Sequence, residues 1–242
     1  MDRADDIIIR KLRNHSDLND EDAQAIARLS KTPRLASARQ DLVCEGDKPE
    51  VSIIVLKGML ARYMTVGHDR QYISFHIAGD WPDAQTLFIE RMDHSVCALD
   101  DALVVFVPHA ELIRLFEDRP AVGFSIWRET LIDAAIFREA IARIGARSVT
   151  KRIAHLFCEI YYRSRAVGLA KLGSCPLPIN QGQLAQTLGI SIVTVNRAIQ
   201  KLRTTGTMDY RDGELKIMDW EGLTKFADFN SNYLSLTKRP RL

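Results

Sequence analysis

Residues 180–220 read NQGQLAQTLGISIVTVNRAIQKLRTTGTMDYRDGELKIMDW, and the punctuation in this stretch decides the fold. Asn180 can cap a helix that carries Leu184, Ala185 and Leu188 on one side. Gly189 supplies a permissive backbone for a tight turn, and Ser191 caps a second helix by accepting a backbone N–H. Val195, Ile199 and Leu202 recur at helical spacing and make the inner face of that second helix. Its outer face is long, polar and cationic, with Ser191, Thr194, Asn196, Arg197, Gln200 and Lys201. Two short strands, Thr207–Tyr210 and Leu215–Met218, then flank the hairpin pair Asp212-Gly213. The pattern is a helix-turn-helix followed by a wing.

The surrounding charge favours a polyanionic partner for this part of the chain. Residues 1–145 hold 18 Lys and Arg against 24 Asp and Glu, a net −6, whereas residues 146–242 hold 15 against 7, a net +8. An anionic portion joined to a cationic one points to two domains with different partners, the basic one suited to nucleic acid. At 242 residues the chain is long enough to bury a sizeable core. No apolar run approaches the roughly 18 residues of a membrane span. The acidic start MDRADDIIIRK lacks the order of a secretory signal, so a cytoplasmic protein with no membrane partner is expected. Cys44, Cys97, Cys158 and Cys175 are scattered, without metal-ligand spacing. Buried or half-buried thiols are the expectation, with Cys175, in the loop-like GSCPLP, the one to watch for reactivity.

Working outward, the first forty residues read as helical, with a cap at Ser16 or Asn19 and an end at Pro33. From about residue 35 to 108 the runs VSIIVLKG, MLARYMTV, QYISFHIA and ALVVFVP are separated by turn signals, which predicts an antiparallel roll. A short helix, Glu111 to Phe116, precedes a long one from about Ala121 to Ile144. That helix bears two apolar stripes. Ile132, Ile136 and Ala140 can pack on the roll; Phe124, Trp127, Leu131, Ala134 and Ile141 are best covered by the same helix of a second chain. Gly145 reads as a hinge, and Thr150 to Arg165 as a further amphipathic helix. The expected fold is α+β: an N-terminal antiparallel, jelly-roll-like β-roll (1–120), a dimerisation helix (121–145) and a C-terminal winged helix-turn-helix (146–242).

This order of parts resembles the Crp/Fnr family of bacterial transcription regulators. The segment TLGISIVTVNRAIQKLRTTG is similar to the family signature, with Ser191, Thr194, Val195 and Arg197 in the expected places. The resemblance implies a homodimer on double-stranded DNA, with RNA polymerase as a further partner. Residues near the start of a recognition helix read bases while their neighbours grip phosphate. Ile192, Val193, Asn196 and Arg197 are therefore predicted to face bases, Arg197 with the fork that suits guanine. Ser191, Thr194, Gln200 and Lys201 are predicted to bond phosphates or the groove edge. Ile192 and Val193 depart from the Arg and Glu of well-known members and offer only apolar contact.

In cyclic-nucleotide-binding members, one turn of the roll holds phosphate and ribose; here it reads GDWPDAQTLFIERMDHS, from Gly79 to Ser95. Asp83-Ala84 replaces the family's Gly-Glu, and His94-Ser95 replaces Arg-Ser. Ala84 cannot accept ribose hydroxyls, and His94 is no permanently charged fork. Asp83, Ala84, His94 and Ser95 would line a pocket for an unknown small-molecule effector other than cyclic AMP; the alternative is a cyclic-nucleotide-dependent switch. No cofactor is expected. No cysteine precedes Cys44 to hold an iron–sulfur cluster, and His76 and Cys97, the candidate haem ligands, read as structural. His68, His76 and His94 lack the close H-x-H pair of a cupin-like metal site, and no catalytic order appears, so neither a metal nor an enzyme is expected.

Overall fold

The protein is described from a computed structural model, which covers residues 3–29 and 31–236. It divides into two compact units: one contains the chain up to Met64 together with Ser74–Ala134, the other Thr65–Ile73 and Ala135–Leu234.

The first unit opens with α1 (Arg3–Arg13) and α2 (Asp20–Ala27). Asn19, not Ser16, caps α2, in a reciprocal box with Asp22. In chain order, and among the described residues, seven strands follow, of which β4 and β5 carry the segment Thr65–Ile73 that groups with the second unit: β1 (Thr32–Ala36), β2 (Asp41–Val43), β3 (Val51–Lys57), β4 (Leu60–Val66), β5 (Asp69–His76), β6 (Ser95–Ala98) and β7 (Ala102–Pro108). They form a three-stranded sheet ordered β1-β7-β3 and a four-stranded sheet ordered β2-β6-β4-β5. β3 runs antiparallel to β7, with Ile54 opposite Val105. Its four consecutive residues Ser52–Val55 are all buried, so the strand shows no alternation between a covered and an open face.

Pro33 does not end a helix. It lies in β1, opposite Val105. β1 is an edge strand with four of its five residues exposed, and an edge tolerates a residue that donates no hydrogen bond.

Two helices follow β7: α3 (His109–Asp118) and α4 (Pro120–Ala146). Pro120 suits the first helical position, where its missing N–H costs nothing. Val122 and Ile126 of α4 join Ile8, Leu12, Ile26, Ile54 and Leu112 in one core. Gly145 is helical, and the break falls later, at Arg147 and Ser148, before α5 (Val149–Ala166).

The second unit contains α5, β8 (Ser174–Pro176), α6 (Gln181–Leu188), α7 (Ile192–Thr204), β9 (Met208–Arg211), β10 (Glu214–Ile217) and α8 (Trp220–Ala227). Its sheet has the order β8-β10-β9. Ile153, Phe157 and Ile160 of α5 are buried together with Leu184, Val195, Ile199, Leu202, Leu215 and Leu223. The segment around Cys175, expected as a loop, is strand β8, with Cys175 opposite Leu215. Burial pushes the Cys175 thiol up to about 11, which makes it a poor nucleophile.

Candidate nucleic-acid interface

The presentation of α7 starts one helix earlier. Asn180 Oδ1 accepts from the Gln183 N–H at 2.9 Å, and Gln183 Oε1 accepts from the Asn180 N–H at 2.8 Å, so α6 begins at a fixed residue. Gly189 ends it with φ +63°, a left-handed conformation that glycine adopts without strain. From α5, Arg152 Nη2 donates to the Leu188 carbonyl at 2.8 Å, a cation on the negative end of α6. Where α6 meets α7, a Cβ on Gly182 would lie 4.0 Å from Ile192 Cδ1.

α7 then starts at a designed cap. Ser191 Oγ accepts from the Thr194 N–H at 3.2 Å and shares a 2.8 Å hydrogen bond with the Thr194 hydroxyl. The first turn of α7 holds no acidic residue, so its positive end is uncompensated and suits a phosphate. Val195, Ala198, Ile199 and Leu202 are buried. The opposite side carries Ser191, Ile192, Val193, Arg197, Gln200 and Lys201, all exposed, with Thr194 and Asn196 half-buried. Arg197 makes no hydrogen bond or ion pair with the described residues, which leaves its fork available. All eight sequence-predicted residues therefore lie on one helix face or at its cap.

Two residues of this unit escaped the sequence reading. One is Arg152 at the helix-turn-helix bend. The other is Arg203, which turns away from the outer face: Nε bonds Asp209 at 2.8 Å and Nη2 bonds the Tyr210 carbonyl, tying α7 to the wing strand β9. In the wing turn, Asp212 and Gly213 have φ values of +50° and +76°, as the hairpin pair predicts.

In the first unit, Asp83, Ala84, His94 and Ser95 are all buried. Asp83 Oδ1 accepts from the Ile53 N–H at 2.8 Å, and burial pushes its carboxyl up to about 7. His94 Nδ1 lies 2.7 Å from Asp93; burial and the charge of Arg62 hold its imidazole below its ordinary pKa. Ser95 Oγ accepts from the Glu45 N–H at 2.9 Å. On α4, Phe124, Trp127, Leu131 and Ile141 are 55, 60, 48 and 69 % exposed, and Ala134 is half-buried. Among the described residues, no group of three or more His, Cys, Asp or Glu could hold a metal ion, and no helix is long and apolar enough to cross a membrane.

Two family models match this layout: a Crp-like helix-turn-helix domain over residues 151–226 and a cyclic nucleotide-binding domain over residues 33–119. The chain belongs to the Crp/Fnr family of transcription regulators. It is 22% identical over 211 residues to the transcriptional activator protein FnrA of Stutzerimonas stutzeri, covering 87% of this chain and 86% of that one. It is 25% identical over 167 residues to the nitrogen fixation regulation protein FixK of Bradyrhizobium diazoefficiens, covering 68% and 69%. The solved structure of FixK2 from Bradyrhizobium japonicum superposes with a TM-score of 0.71 at 21% identity, over 82% of this chain and 98% of that one. The fold is thus a β-roll, a long helix and a winged helix-turn-helix, and the protein is a DNA-binding transcription regulator. The relatives named above are regulators.

Proposed function

We propose that the protein acts in the cytoplasm as a homodimer that reads an inverted-repeat operator. In this reading residues 1–120 form the regulatory roll, 121–145 the dimerisation helix and 146–242 the reading domain. The observation that carries it is the two-sided α7: Val195, Ala198, Ile199 and Leu202 buried on one side, a free Arg197 among exposed Ile192, Val193, Gln200 and Lys201 on the other. The helix enters the major groove with Ile192, Val193, Asn196 and Arg197 toward bases; Ser191, Thr194, Gln200 and Lys201 grip phosphates or the groove edge. Ile192 and Val193 suit thymine methyls, and Arg197 suits guanine.

The exposed stripe Phe124, Trp127, Leu131 and Ile141, with Ala134 between, supports pairing of α4 with its copy. An apolar groove of about 570 Å3 walled by Phe88, Phe116, Phe124 and Trp127 continues that face. A two-fold pair sets two recognition helices about one DNA turn apart, roughly 34–36 Å, where RNA polymerase can be recruited or blocked. In this reading the ligand of the roll is not cyclic AMP: Ala84 and a buried His94 held below its ordinary pKa stand at the positions where the family resemblance puts the carboxylate for ribose and the fixed cation for phosphate.

Selection from a randomised duplex library with the purified chain tests this. An inverted repeat is expected, and Arg197→Ala should relax one base position per half-site at a cost of about 1–3 kcal/mol each. Unchanged preference in the variant would remove Arg197 from the reading set.

A further inference from the structure

Glu129 and Asp133 stand one turn apart on α4, and each meets a buried cation. Asp133 pairs with Arg62 of β4, whose side chain is 5 % exposed. The same guanidinium donates through Nε to the Pro82 carbonyl at 2.6 Å. Glu129 lies 3.4 Å from Lys11 of α1 and hydrogen-bonds His15 Nε2. Lys11 also reaches Asp80 at 3.0 Å, and His15 Nδ1 lies 2.8 Å from the Ser16 hydroxyl. Lys11, His15, Arg62 and Asp80 are all buried. Burial would raise the Glu129 carboxyl, but the charge of Lys11 and the hydrogen bond with His15 outweigh it and hold the group below the usual carboxylate range.

A buried cation without a partner is costly, so these contacts are strongly preferred to their rupture. Asp80, Glu129 and Asp133 pair with Lys11 and Arg62, so three carboxylates share two permanent cations. An incoming anion would have to displace Asp133 from Arg62. α4 is one continuous helix from Pro120 to Ala146, so ties at Glu129 and Asp133 also fix the direction in which its apolar stripe points.

We infer that Arg62 and Asp133, with Lys11 and Glu129 beside them, are positioning residues that hold α4 in its operator-binding place from within the chain, so that operator binding needs no small-molecule effector. The inference rests on the reading of the protein as an operator-binding dimer. Asp133 acts as a built-in anion for Arg62, delivered by the same helix that carries the dimer stripe.

The test uses the full chain and the operator obtained by selection. Wild type is unfolded in guanidinium chloride, dialysed and refolded, which strips any carried molecule. Its operator Kd should then match that of the native preparation within twofold, and cyclic AMP, cyclic GMP or a small-molecule fraction of cell extract should not tighten it further. Asp133→Ala should weaken operator binding at least tenfold, and Asp133→Glu should recover most of the loss while Asp133→Asn does not. Melting curves and sedimentation of each variant separate loss of positioning from loss of fold, since rescue by Glu and not Asn requires the charge. Refolded wild type that binds poorly and regains its affinity with the extract fraction would overturn the inference, as would an Asp133→Ala variant with unchanged affinity. Failure of the underlying reading looks different: the native chain would enrich no sequence at all.

Discussion

Leu131→Asp is the sharpest test of the α4 seam. Leu131 is 48 % exposed, so about half its surface is left for a partner to cover. Full burial of a leucine is worth about 1.5–3 kcal/mol, so the remaining half contributes roughly 1 kcal/mol per chain and 2 per pair. Aspartate forfeits that and strips a carboxylate of water with no cation supplied, about 1–3 kcal/mol per chain. The two-fold axis sets two like charges near each other, which adds on the order of 1 kcal/mol. The sum is about 5–9 kcal/mol, a dissociation constant weaker by several thousand-fold or more. Sedimentation equilibrium over a concentration series reads this directly, with circular dichroism confirming an intact fold. Leu35→Asp is the control: Leu35 is 80 % exposed on an edge strand outside the stripe, and its variant should dimerise like wild type. A Leu131→Asp chain with wild-type dimer affinity would refute the seam, as would a wild type that stays monomeric at tens of micromolar.

Three further outcomes follow from the charges. With its carboxyl pushed up to about 7, Asp83 stays protonated in the folded chain between about pH 4 and 7 while the unfolded chain ionises, so it lowers stability by up to about 1.4 kcal/mol per unit as pH rises. Asp83→Asn keeps the acceptor for the Ile53 N–H, and its melting temperature should gain on wild type progressively from pH 4 to 7; a constant offset would contradict this. His155 is held down to about 3 by burial and by Arg143 and Arg147, so the folded chain leaves it neutral where the unfolded chain protonates it. Stability is then lost as pH falls from about 6.5 toward 3, and His155→Gln should flatten that limb in a chemical-denaturation series. Arg203→Ala removes two charge-assisted bonds to the wing; it should cost about 1.5–3 kcal/mol of stability and weaken all duplexes alike, leaving base preference in the selected sites unchanged.

Much of this molecule is legible in its residues where signals are local. Asn180, Gly189, Ser191 and Asp212-Gly213 are caps and turns that act within a few residues, and each sits as read. The apolar runs Ile53–Val55 of β3 and Leu103–Val107 of β7 declare themselves because residues on both faces are buried or half-buried. β2 and β8 have only three residues each and β6 only four, too few to display a period. β1 contains a proline that mimics a stop signal, and its place depends on β7, some seventy residues away. The ties on α4 were invisible for the same reason: 71 residues separate Arg62 from Asp133, and 114 separate His15 from Glu129. In sequence, Arg62 reads as an ordinary charge within MLARYMTV; only the assembled roll shows that it points inward.

The most direct test of the central claim is the mass of the DNA complex. Purified chain is titrated against its selected duplex and against one isolated half-site, with stoichiometry read by sedimentation velocity. The prediction is two chains per full duplex, half-sites centred about one helical turn apart, and an isolated half-site bound far more weakly. One chain per duplex, with equal affinity for the half-site, would contradict it.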